Sequence, residues 1–199
     1  MRRVRASIVA VMVGALLIAG CAGQPVLYNH FINSGYSPAE FGVGAGRKDL
    51  RTVLHGDPFG VGEAAFAAAT IAILNRHQPF LQPTHFTTMP GENASPRHRM
   101  VLIFDQPRIP VFQLCRARLP APPARPAVPV PEPTLHVAAA FCLHGGELTA
   151  VQGKIEGVEG PNDPKLDRLL GQIVLALFPP VDPNDDDEPW LMAGRLAQD

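Results

Sequence analysis

The chain has 199 residues, with 17 Lys and Arg against 18 Asp and Glu and 46% apolar residues. That is the composition of a globular protein of one domain, and a formal charge of −1 excludes a polyanion-binding protein that works by bulk electrostatics. Two local features stand out from these averages: a basic, apolar N-terminus, and 22 prolines concentrated towards the second half.

Arg2, Arg3 and Arg5 precede an uncharged stretch, 6–20, that carries Ile8, Val9, Val11, Leu16, Leu17 and Ile18. At 1.5 Å per residue such a helix falls short of the roughly 30 Å hydrocarbon core of a bilayer, so a signal peptide fits better than a permanent span. The stretch ends in Leu17-Ile18-Ala19-Gly20-Cys21, with small residues immediately before a cysteine.

This segment resembles the lipobox of bacterial lipoproteins. The resemblance implies a diacylglyceryl group on the Cys21 sulfur, cleavage between Gly20 and Cys21, and acylation of the new amine. Two or more chains, at about 0.8 kcal/mol per buried methylene, turn marginal membrane binding into stable anchoring. Ala22 stands where an Asp would imply retention in the inner membrane, so the resemblance implies the outer membrane, facing the periplasm. Cleavage removes three arginines and no acid and leaves 14 basic against 18 acidic residues, a balance that attracts neither nucleic acid nor an anionic lipid surface.

Residues 21–48 contain Gln24-Pro25, Asn33-Ser34-Gly35 and Gly42-Val43-Gly44-Ala45-Gly46 without a sustained apolar period, and read as a lipidated tether. A domain is expected over 49–180. A strand is predicted from Asp49 to Leu54, then a type I turn at Asp57-Pro58-Phe59-Gly60. A helix from Gly62 to about His77 would place Ala65, Phe66, Ala69, Ile73 and Leu74 on one face. The stretch from Gln78 to Arg99, with Pro79, Pro83, Pro90 and Pro96, reads as a long loop. Strands are predicted over Met100–Asp105 and Val111–Leu119. Half of the residues in 120–133 are proline, which predicts a stiff connector.

Leu135 to Leu143 then reads as a strand with Leu135, Val137, Ala139, Phe141 and Leu143 on one side, followed by a hairpin with a Gly145-Gly146 loop and a returning strand from Leu148 to about Ile155. Asp163 as N-cap and Pro164 at the first position open a helix whose Leu166, Leu169, Leu170, Ile173 and Leu177 share a face until Pro179-Pro180. Residues 181–199 form an acidic tail. The sum is an α+β fold, a two-layer domain with a mostly antiparallel sheet and two helices on one face.

With Cys21 assigned to the lipid, Cys115 and Cys142 remain, and export to an oxidising compartment makes a disulfide between them the expectation. The alternatives are two buried free thiols and, competing for the same sulfurs, a metal site of Cys115, His136, Cys142 and His144, since period two puts the last three on one strand face; the Cys-x-His spacing is a weak match for it. Gly60-Val61-Gly62-Glu63-Ala64-Ala65 formally matches G-x-G-x-x-A, but five residues separate it from the preceding strand, against a dinucleotide site. Ser34, Ser37 and Ser95 stand in no nucleophile elbow. His85 and His98, with Glu92 between them, are the titratable groups of the long loop. No cofactor is expected. The functional expectation is a non-enzymatic lipoprotein that binds an envelope protein or polymer, with a hydrolase or metal-dependent enzyme built on the 78–99 loop, or a small-ligand module, as alternatives.

Overall fold

The computed structural model describes residues 23–106, 108–116 and 134–181. The leader, Cys21, the proline-rich connector 120–133 and the acidic tail beyond Val181 lie outside them. Six strands form a single sheet: β1 (Val26–Ile32), β2 (Asp49–His55), β3 (His85–Thr87), β4 (His98–Phe104), β5 (Thr134–Leu143) and β6 (Gly146–Glu156). Their order is β1-β6-β5-β4-β2-β3. The pairs β1–β6, β6–β5 and β5–β4 are antiparallel, and β4–β2 and β2–β3 are parallel. This is the expected α+β domain with a mostly antiparallel sheet.

Three helices cover one face: α1 (Pro38–Gly44), α2 (Glu63–Arg76) and α3 (Pro164–Leu177). Alternation along β5 decides which residues meet them. Leu135, Val137, Ala139 and Phe141 join Phe41, Phe66, Leu74, Leu166, Leu170 and Ile173 in the main core, whereas Ala138, Ala140 and Cys142 face the other way. The α3 boundaries are those the caps dictate: the Asp163 carboxylate accepts the Lys165 N–H at 2.8 Å, and Pro164 needs no donor. Gly171 lets α2 approach, because a Cβ there would stand 2.7 Å from His77 Nδ1.

Four expectations need correction. The tether does not run to residue 48: β1 pairs with β6, and Tyr36 and Phe41 lie in the core, so the domain begins at about Val26. The Gln78–Arg99 stretch is not structureless. It holds β3, whose Phe86 backbone is clamped on both sides by Asn75, with the amide Nδ2 donating to Phe86 O and Oδ1 accepting from Phe86 N, each at 2.9 Å. The hairpin loop is His144-Gly145, one residue earlier than expected, with Leu143 opposite Gly146 and His144 taking φ 57.

The expected strand from Val111 is instead one 3₁₀ turn, Val111–Gln113, running into a segment under the second sheet face. Its backbone groups go to side chains rather than to a ladder: Cys115 N–H donates to the buried Glu147 carboxylate at 2.7 Å, and Cys115 O accepts from Arg99 Nη2 at 2.5 Å. Arg99 and Glu147 both stand opposite Cys142 in the register, on either side of it. Cys115 is joined to Cys142, with the Cα atoms 5.8 Å apart.

Candidate functional site

The register divides the sheet into two ends. Val26, Glu156, Thr134, Phe104 and His55 lie at one; Ile32, Gly146, Leu143, His98, Asp49 and His85 lie at the other. Two neighbouring groups of chemistry-bearing side chains lie at the second end.

The first group lines an open cleft of about 470 Å3 between the α1–β2 connection, the C-terminus of α2 and the strand β3, with Arg47, Lys48, Asp49, Asn75, Gln78, His85 and Asn93 in its walls. Asn75 and Gln78 are scaffold, since both ends of each amide are hydrogen-bonded to backbone. Asp49 is the fixed anion: it accepts Gly91 N–H at 2.8 Å and pairs with His85 Nδ1 at 2.9 Å. The Gly91 hydrogen bond first, then those of His85 and Asn93, hold its carboxyl below the usual carboxylate range. Because the carboxylate only accepts, Nδ1 of His85 carries the proton, and Nε2 of the neutral ring keeps its lone pair. Lys48 Nζ spends one donor on Val43 O at 2.7 Å. Arg47 is exposed, takes φ 54, and is fixed through its N–H to Pro83 O at 2.7 Å. The cleft thus offers a guanidinium, an ammonium and an imidazole acceptor around one spent carboxylate. These groups can bind a carboxylate, phosphate or hydroxyl-rich ligand.

The second group is Ser95, His98 and Glu40. Ser95 Oγ is 2.7 Å from His98 Nδ1, and Glu40 Oε1 is 2.8 Å from Nε2. Glu40 accepts from Nε2–H, so Nδ1 accepts from the serine hydroxyl, which is the proton order of a base-activated nucleophile. The packing belongs to an anchor. The His98 side chain has 0% exposure, stacks on Phe141 at 5.6 Å between centroids, and has Gly44 of α1 against its other side. His98 fastens α1 to the start of β4. Glu92, the third group singled out in the loop, is not among the partners of either histidine.

The remaining candidates are separated. The Cys115–Cys142 bridge takes both sulfurs out of the competing metal set, and His136 instead meets Tyr28 Oη at 3.3 Å. Among the described residues no group of three or more His, Cys, Asp or Glu is placed to hold a metal. In the Gly60–Ala65 segment the place of an anion is filled from within: the Asp57 carboxylate accepts the N–H groups of Phe59, Gly60 and Gly62 at 3.2, 3.0 and 2.6 Å. No helix among the described residues is long and apolar enough to cross a membrane.

No protein-family model matches this chain, and no curated protein resembles it in sequence. Among solved structures it is similar to the PelC dodecamer from Paraburkholderia phytofirmans, at 10% identity and a TM-score of 0.41, and to a leucine-to-methionine variant of that protein, at 8% and 0.40. Each likeness covers 81% of this chain and 100% of the other. Similarity at this level carries no functional weight.

Sequence reasoning singled out His85 and His98 but missed Arg47, Lys48, Asp49 and Glu40 as their neighbours. Asp49 and His85 meet because β2 and β3 pair in parallel, and a three-residue strand leaves no periodic signal.

Proposed function

We propose that this chain is an envelope lipoprotein whose domain binds rather than catalyses. Acylated Cys21 fixes it to the outer membrane, facing the periplasm. The cleft of Arg47, Lys48 and His85 takes an acidic or hydroxyl-rich group of an envelope protein or polymer.

The observation that carries this reading is the pairing of Cys115 with Cys142. Such bridges persist in oxidising compartments, which supports export, and this one leaves Cys21 in the lipobox as the cysteine for the lipid. The mass of the mature protein tests the anchor. Wild type carries the acyl groups, and Cys21→Ser retains the leader, lacks them and leaves the outer-membrane fraction; equal modification of the two overturns the anchor. For binding, Arg47→Glu combined with Lys48→Glu is expected to lower recovery of partner from detergent-solubilised envelopes by roughly tenfold with the melting temperature unchanged. Undiminished recovery removes the cleft from the reading.

One observation favours a second reading, a hydrolase: the Ser95–His98–Glu40 hydrogen bonds. The His98 side chain that they involve is fully buried, with no face open to a substrate among the described residues. A fluorophosphonate that labels wild type and not Ser95→Ala would establish that reading in place of the first.

A further inference from the structure

We propose that the end of the sheet carrying Val26 lies against the lipid headgroups and that the Arg47–His85 cleft is held on the side away from the membrane. The inference rests on the acylation of Cys21 proposed above and adds the orientation of the domain. It follows from chain length. Four residues separate Cys21 from the start of β1 at Val26, and over those five steps a fully extended chain covers at most about 3.6 Å per residue, or about 18 Å.

The slack is shorter still, because Gly23 is already seated on the domain. Its backbone runs against Lys165, where a Cβ would stand 3.0 Å from Cε, and Lys165 is itself held by Gly157 O at 2.8 Å. From Gly23 back to Cys21 the chain reaches about 7 Å. A sulfur carrying two acyl chains sits at headgroup depth, so Gly23 and the tip of the Lys165 side chain against it lie within about that distance of the headgroups.

The register places the rest of this surface. The end of β6, and the end of β2 with the turn and the first turn of α2 after it, share this end; along β2 the cleft's Asp49 and the far-end His55 are about 20 Å apart. Two apolar side chains are exposed there, Val26 at 48% and Val61 at 46%. The charged groups are mixed, with Glu63, Glu156, Glu159 and Asp163 against Lys154, Lys165 and Arg168. So balanced a surface gains little from an anionic headgroup layer, and the covalent tether rather than electrostatic attraction sets the orientation.

The test uses the full acylated chain in vesicles of phosphatidylcholine and phosphatidylethanolamine. Val61→Cys, Asn162→Cys and Arg47→Cys each add one free thiol for an environment-sensitive fluorophore, since Cys21 is acylated and Cys115 and Cys142 are bridged. Headgroup nitroxide lipids are expected to quench the labels at positions 61 and 162 roughly twofold or more over the label at 47, because the two ends of β2 stand about 20 Å apart. A flexible insert of about 20 Gly and Ser residues between Ala22 and Gly23 should erase the difference. Equal quenching at all three positions, or stronger quenching at 47, in protein whose mass carries the acyl groups and which floats with the vesicles, overturns the orientation and leaves the anchor standing. A mass without acyl groups overturns both.

Discussion

His98 shows how much of the helical layer depends on one side chain. Its ring fills the space between Gly44 and Phe141, and a Cβ on Gly44 would stand 2.4 Å from Cδ2. Gly44→Ala therefore has to displace the ring or α1, and a loss of about 2–3 kcal/mol is expected. His98→Ala removes both hydrogen bonds and leaves a cavity, for about 3 kcal/mol. Urea midpoints at constant slope measure both, and a loss below about 1 kcal/mol for either would mean that the site relaxes freely. Thr70 should respond with the opposite sign. Its hydroxyl is fully buried in α2 without a hydrogen-bond partner, so Thr70→Val is expected to raise stability by about 1 kcal/mol. Ser95 is three residues from His98, within reach of a sequence reading. Glu40 is 58 residues away, in a stretch that reads as tether, and only the folded chain brings it in.

At the scale of elements, the parts that were legible in sequence were those with enough length for a period to emerge. α3, with its cap, its proline and its leucine stripe, and β5, with ten alternating residues, fell where the pattern put them. β1 escaped for a specific reason. Between Tyr28 and Phe31 it advances three residues while β6 advances two, and Asn29 takes φ 51; this bulge reverses the alternation midway through a seven-residue strand. α1, at seven residues, is too short for a helical period and is rich in glycine. A chain that begins at residue 49, where sequence patterning opens the domain, would lack Tyr36, Phe41 and β1, one of the two pairing partners of β6. It is expected to show no cooperative thermal transition, whereas one that begins at Gly23 should melt cooperatively; cooperative melting of the shorter chain would return 23–48 to the role of a tether. The 106–116 segment is held by a different device. Replacing both Cys115 and Cys142 by Ala should cost about 2–4 kcal/mol, measured on oxidised wild type against the double variant.

Over the whole molecule, apart from Tyr28, whose phenol is pushed up by burial, the shifted titratable groups act in one direction. Burial pushes the imidazoles of His55 and His136 down, the latter against the opposing pull of Asp105. The carboxyls of Asp49, Asp163 and Asp167 are also held below their ordinary value. Gly91 and His85 do this for Asp49; for Asp163 and Asp167 burial works against it and is outweighed by hydrogen bonds, from the Glu159 and Lys165 N–H groups and from Arg76 and His77. For each of these histidines and aspartates the unfolded chain takes up a proton at higher pH than the folded one, so stability rises with pH between the two values. The contribution of the histidines is complete above their unfolded value of about 6.5 and fades as pH falls through their lower folded values. The three aspartates add a second decline, beginning near their unfolded value of about 3.9. Denaturation midpoints should therefore be level from neutrality up to the alkaline range where Tyr28 ionises and fall in two steps on acidification, the upper one diminished in His55→Gln combined with His136→Gln and the lower one in Asp49→Asn. A midpoint that rose on acidification from pH 7 to pH 5 would overturn the upper step and the role given to His55 and His136.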